Sequence, residues 1–278
     1  MKNLIAISGR IGSGKDTVGE IVNYLHEEGE WNNFEEYVKM GPCARTWEIK
    51  KYAGRLKDMV CLLINCTRDQ LEDATFKNTE LGEEWWNFDE VTIKNWLLTE
   101  GFSREHIDTN KSVFLDNYKR SPVGITKLTP RRLLQKLGTE CGRNIHTDIW
   151  VNTLFSDYKS TLGIKHKLAG EDGINEDYEP HEDDIIDVFP NWIITDMRFP
   201  NELEAVKKRN GITIRVNRSK EREMFLMNAT TIIDTRLTEH PSETALDDAE
   251  FNYIVENNGT IEELIEKVRI ILKTENIL

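Results

Sequence analysis

Cysteine is scarce in this sequence: Cys43, Cys61, Cys66 and Cys141 are the whole set, and no two of them form a Cys-x-x-Cys pair. That excludes a disulfide-stapled scaffold and a zinc ribbon, and reduced thiols in a cytoplasmic setting are expected. Positive charge is short as well. Lys and Arg number 36 against 49 Asp and Glu, for a formal net charge of -13. Such a surface repels phosphate backbones, which excludes a general binder of nucleic-acid polymers or of anionic membranes. No apolar run approaches the length of a membrane span, and Met1 leads straight into a short apolar segment without a signal peptide. Internal repeats are lacking too. What 278 residues with 38% hydrophobic content can build is one large α/β domain with insertions, or two small domains.

What is present starts at the N-terminus. The β-prone run Leu4-Ile5-Ala6-Ile7-Ser8 feeds the turn Gly9-Arg10-Ile11-Gly12-Ser13-Gly14, and Lys15-Asp16-Thr17 open a helix with apolar residues at Val18, Ile21, Val22 and Leu25. Strand, glycine-rich turn and helix are the context of a phosphate-binding P-loop. Glycines let the backbone point its N–H groups inward, the helix N-terminus adds partial positive charge, and Lys15 can reach the β- and γ-phosphates. The usual motif ends Gly-Lys-Ser/Thr, whereas here Asp16 takes that place and the hydroxyl follows at Thr17. The glycine spacing is not that of a dinucleotide-binding turn.

An acidic chain that binds a phosphorylated substrate needs local basic clusters. A strand is expected near residues 47–52, then a helix with Leu56, Val60, Leu63 and Ile64 on one face and Lys57 in its first turn; Lys77 follows a shorter helix. Residues 79–128, with Trp85, Trp86 and Trp96, read as a helical insertion without assigned chemistry. Thr129-Pro130 is an N-cap and N1 pair, and the helix it opens is expected to end at Gly138-Thr139. Arg131 and Arg132 in its first turn oppose the macrodipole, a cost that a bound anion would offset. The acidic segment 170–187 reads as a solvated loop or hairpin. The strand ending at Asp196 suits a Walker-B carboxylate at the C-terminal edge of an open sheet, where ligands lie. Asn201 and Glu204 have capping-box spacing, as do Thr260 and Glu263. Residues 217–248, carrying Arg218, Lys220 and Arg222, are a basic excursion fit for a mobile lid.

These motifs resemble, in order and over nearly the whole chain, the deoxynucleoside monophosphate kinases of bacteriophages, members of the P-loop kinase superfamily. The resemblance rests on Ser8 through Thr17, Ala53-Gly54-Arg55-Leu56-Lys57, Arg131 through Thr139, and Trp150-Val151. It continues through Thr195-Asp196-Met197-Arg198 with Glu202, His240-Pro241-Ser242-Glu243, and Asn258 through Leu264. It implies a single α/β kinase domain over 1–278, three-layered around a five-stranded mainly parallel sheet, with a monophosphate-binding region at 30–160 and a lid at 217–248. It implies transfer of the γ-phosphoryl of ATP, with Mg2+, to a deoxynucleoside monophosphate in the host cytoplasm, and leaves a homodimer open.

By that resemblance ATP would be bound by Gly9, Arg10, Gly12, Ser13, Gly14, Lys15, Asp16, Thr17 and Arg222. Lys57, Lys77, Arg131 and Arg132 would hold the acceptor phosphate, and Gly138, Thr139 and Trp150 would face its base and sugar. Lys15, Asp196, Arg198 and Arg218 would act on the transferring group, and Asp16, Thr17 and Asp196 would serve the metal. In such kinases the Gly-Lys-Asp-Thr ending is normal. A P-loop kinase for another small phosphorylated metabolite, and a non-catalytic nucleotide-binding protein, remain the alternatives.

Overall fold

Every residue of Leu4–Ser8 is buried, the pattern of a strand covered on both faces and flanked on both sides. In the computed structural model, which describes residues 2–41, 46–85, 90–99, 101–111, 128–164, 185–219 and 244–278, this strand is the centre of a sheet. We number it β1 (Leu4–Ser8). The others are β2 (Glu48–Lys50), β3 (Thr161–Ile164), β4 (Ile185–Val188), β5 (Trp192–Met197), β6 (Ile212–Asn217) and β7 (Tyr253–Glu256). Five of them form an all-parallel sheet in the order β2-β5-β1-β6-β7, while β3 and β4 pair antiparallel by themselves. β3 lies before the acidic segment and β4 at its end, and most of that segment lies outside the described residues.

The chain divides into two compact units, Met1–Gly54 with Thr147–Leu278, and Arg55–His146. The first holds the sheet. On one face Ile5, Ile7, Ile193, Ile212, Ile214 and Val216 pack with Val18, Ile21 and Val22 of α1 (Lys15–His26) and with Leu264, Val268 and Leu272 of the C-terminal helix, Ile261–Thr274. On the other, Leu4, Ala6, Trp192 and Ile194 meet Val151, Leu154 and Phe155 of the helix Ile149–Phe155, and Leu203 and Val206 of the helix Pro200–Lys207. Alternate residues of one strand thus serve opposite layers, and each fully buried aliphatic side chain contributes about 1.5–3 kcal/mol. The architecture is α/β with helices on both sides of a parallel sheet. α2 (Phe34–Met40) brings Tyr37 to the first face.

The regular elements among the described residues of the second unit are all helices, including α3 (Gly54–Ile64), α4 (Arg68–Glu72), α5 (Ala74–Asn78), α6 (Glu90–Thr99), α7 (Arg104–Thr109) and α8 (Pro130–Gln135). Leu56 and Val60 are buried on α3 as expected, but Leu63 is exposed. Thr129 caps α8 by accepting the Arg132 N–H. The helix does not stop at Gly138; it widens into a π-turn, Lys136–Cys141, and runs on as α9 (Gly142–Ile145). Gly138 is there for close approach, since a Cβ at this position would lie 2.7 Å from Leu56 Cδ2. The helices already named Ile149–Phe155, Pro200–Lys207 and Ile261–Thr274 are α10, α11 and α12. α11 starts earlier than its expected cap: Pro200 is its first residue, and Glu202 reaches back to the Arg198 and Phe199 N–H groups at 2.7 and 3.1 Å. No helix among the described residues is long and apolar enough to cross a membrane.

Candidate phosphate-binding site

The turn after β1 is shaped by backbone conformations that only glycine adopts without strain. Gly12 has φ +78° and Gly14 φ +100°. A Cβ at Gly9 would come within 2.4 Å of the Val216 carbonyl oxygen, and one at Gly14 within 2.5 Å of the Asn257 side-chain amide. Lys15 is buried: its Nζ lies 2.7 Å from both the Gly9 and the Arg10 carbonyl oxygens and donates to them. The long side chain curls back over its own loop, which fixes a positive charge at the mouth. Ser13 is buried, and its hydroxyl has no hydrogen-bond partner. A buried hydroxyl of this kind is a donor suited to an anion.

Around the loop stand groups that the sequence brings from far away. Asn257 Nδ2 donates to the Ser13 carbonyl at 2.8 Å, while Arg218 donates from Nε to the Asn257 carbonyl (3.1 Å) and from the end of its guanidinium to the Gly12 carbonyl (2.8 Å). Arg218, expected as a lid residue, thus touches the loop directly. Arg222 and the rest of 220–243, His240 through Glu243 included, lie outside the described residues. Arg10 and Arg215 both donate to Asp247, at 2.6 and 2.5 Å, and Arg215 also donates to the Ser8 hydroxyl at 3.0 Å. With Arg218, Phe251 and Ile254 these residues line a cleft of about 350 Å³.

The carboxylates behave differently from one another. Asp16 is largely exposed; its Oδ1 accepts from Thr195 Oγ1 at 2.7 Å and lies 2.8 Å from Lys51 Nζ. Desolvation pushes the Asp16 carboxyl upward, but the hydrogen bonds from Lys51 and Thr195 and the charges of Lys51 and Lys15 outweigh it, so the group titrates below its ordinary range. Asp196 accepts the Tyr52 N–H on one oxygen (2.7 Å) and the Ala53 N–H on the other (3.0 Å). Both oxygens of the expected Walker-B residue therefore tie down the turn leading into α3. Arg198 is half-buried beside it, its N–H bonded to Glu202.

No family model matches this chain, and no curated protein matches it. The site therefore has to be read from its own geometry.

The remaining expected residues divide between the two units. Trp150 is buried on α10 of the first. In the second, Lys57 and Lys77 converge on Glu72, at 2.5 and 3.1 Å, and Arg131 Nε donates to the Asn78 side-chain carbonyl at 2.8 Å. Arg131 has a neutral acceptor there, and burial pulls its guanidinium pKa down. Thr139 and Gly138 lie in the π-turn. Asn257, Lys51, Arg215 and Asp247 were not singled out from sequence, and Thr195 entered only as a member of the Thr195–Arg198 motif, without a role of its own.

Burial raises the Glu72 carboxyl, but Lys57 and Lys77 more than reverse this and hold it down at about 2. A depressed pKa contributes stability that is fully present above the unfolded value, near 4.5, and is lost as pH falls toward 2. The difference in melting temperature between the wild type and Glu72→Gln is therefore expected to stay constant from pH 8 to 5.5 and to shrink below pH 4.5. A difference that vanishes already by pH 6 would contradict the ion-pair assignment.

Proposed function

We propose that this protein is a P-loop-type kinase that transfers the γ-phosphoryl of ATP to a (deoxy)nucleoside monophosphate, giving the two diphosphates. The observation that carries the reading is the loop itself: positive-φ glycines, a buried lysine capping the loop carbonyls, and an unanswered Ser13 hydroxyl at the head of α1. Such a loop suits the oxyanions of a nucleotide's phosphate chain. Lys15 would exchange its two carbonyl partners for phosphate oxygens, and the adjoining cleft would take the nucleoside. Arg218, already on the Gly12 carbonyl, would face the charge that develops on the transferring group.

An oxygen of the acceptor's 5′-phosphate attacks the γ-phosphorus, and the bond from that phosphorus to the β–γ bridging oxygen breaks, so ADP leaves with the electron pair. The attacking oxygen is already anionic at neutral pH, so no general base is required. What the chain must supply is alignment and charge.

The donor set suits magnesium. Asp16 is ionised and exposed, with Oδ2 outside its contacts to Lys51 and Thr195, and Thr17 follows in the same turn. Among the described residues no cluster of three or more His, Cys, Asp or Glu is placed to hold a metal, which is compatible with an ion bound mainly through substrate phosphates and water. Asp16 and Thr17 would hold it, and when bound it would neutralise the phosphate chain. Asp196, with both oxygens on backbone amides, is assigned to positioning instead.

The test is a coupled assay of ADP formation across a panel of deoxynucleoside and ribonucleoside monophosphates. Rates that never exceed acceptor-independent ATP hydrolysis would sink the proposal. Arg131 gives the selective check: it is half-buried, its charge is uncompensated at Nε, and an anion would offset the macrodipole it opposes. Arg131→Ala is expected to raise the Michaelis constant for the monophosphate about tenfold, the order of one charge-assisted hydrogen bond, with that for ATP nearly unchanged. Equal loss for both nucleotides would remove Arg131 from the acceptor site.

A further inference from the structure

Lys57 and Lys77 come from different helices, yet both direct Nζ at the same side chain, Glu72, one on each oxygen. Lys77 Nζ also lies 3.1 Å from the Glu72 carbonyl oxygen. The burial of the three groups is inverted relative to an ordinary surface ion pair: the lysine side chains are 16% and 19% exposed and the carboxylate 46%. Lysines normally carry their ammonium groups out to water. Here they are held inward, and the group nearest solvent is the anion that covers them.

Glu72 gains little else from its position. It is the last residue of α4, where a negative charge opposes the helix dipole. A second partner stands close by, since Arg68, one turn back on α4, has its guanidinium 3.5 Å from Glu72 Oε1 while its other end bonds Asp58 at 2.8 Å.

We infer that Glu72 is a built-in stand-in for phosphate: its carboxylate occupies the place between Lys57 and Lys77 where an oxyanion of the acceptor binds, and the incoming phosphate displaces it toward Arg68. The inference rests on the acceptor reading above and deepens it. A dianionic phosphate presents more oxygens and more charge to the two ammonium groups than a carboxylate does, so the exchange favours phosphate. Neutral compounds and monocarboxylates gain nothing from it. Glu72 therefore sets a threshold of charge that a ligand must exceed, and it keeps two inward-facing lysines neutralised while the site is empty.

The test uses 2-deoxyribose 5-phosphate, a probe with no base, titrated calorimetrically into the full-length wild type, Glu72→Gln and the double variant Lys57→Gln/Glu72→Gln. Glu72→Gln is expected to bind the probe about tenfold more tightly than the wild type, the order expected on removing two partly screened ion pairs. The double variant should lose that gain. Equal or weaker binding by a Glu72→Gln protein that shows a cooperative melting transition would overturn the inference, as would absence of binding to every protein. If Glu72→Gln does not fold, Glu72→Asp takes its place, because its shorter reach should also tighten the probe; no tightening there overturns the inference too. Tightening together with no ADP formation from any monophosphate would leave the stand-in intact and sink the kinase reading. ADP formation without tightening would do the opposite.

Discussion

Lys15→Ala is expected to lower ATP-dependent phosphoryl transfer by on the order of 10²-fold or more, the usual cost of removing one preorganised group from a developing charge. The effect should fall mainly on turnover, because Lys15 is already in place at the loop mouth and needs no rearrangement beyond leaving two carbonyls. The same contacts give the variant a structural cost. The Gly9 and Arg10 carbonyls lose their ammonium partner, worth about 1–3 kcal/mol if water cannot replace it. Thermal melting in the absence of nucleotide reads that part separately from the kinetics. A folded variant with near-normal turnover would remove the loop from the chemistry altogether.

The second large effect is expected at Asp196, on stability. An asparagine there would keep the shape but turn one acceptor into a donor facing the Tyr52 or Ala53 N–H. Loss of two charge-assisted bonds, with a donor left against a donor, amounts to about 3 kcal/mol, or about 6–12 °C in melting temperature for a unit of this size. The magnesium dependence of transfer should be little altered. A variant with unchanged melting and a weakened magnesium response would return Asp196 to the Walker-B role that its place at the strand end suggested.

Much of the sheet was legible because the first unit repeats one simple pattern. Leu4–Ser8 and the strand ending at Asp196 read as β, and the start of α12 was marked by the spacing of Thr260 and Glu263. The Thr129 and Thr260 caps were visible because they depend only on neighbours a few residues away. The misreadings have a common origin in tertiary contacts that override local rules. Gly138 looked like a stop and is a packing glycine against Leu56. Asn201 looked like a cap, whereas its amide donates to the Thr147 carbonyl and Asp148.

The site was legible in the same uneven way. The loop is contiguous, so its residues announced themselves. Its support is not: Asn257 lies 244 positions from Ser13 and Asp247 lies 237 from Arg10, and no spacing rule links such pairs. The burial of Lys15 was not legible, because only the curl of the loop supplies the carbonyls that bury it.

The order β2-β5-β1-β6-β7 also fixes when the loop can exist during synthesis. β1 emerges first, but its neighbours are β5, where Leu4 sits against Trp192, and β6, where Ile5 sits against Ile212. At about 5–20 residues per second on the ribosome, roughly ten to forty seconds pass between the appearance of β1 and of both partners. Throughout that interval an apolar strand is exposed on both edges and both faces, the condition in which chains associate wrongly and chaperones are engaged. The glycine-rich loop, written ahead of the strands that flank it, is among the last parts to take shape. A nascent protein released before residue 192 lacks both neighbours of β1, and with them the sheet on which the loop is held.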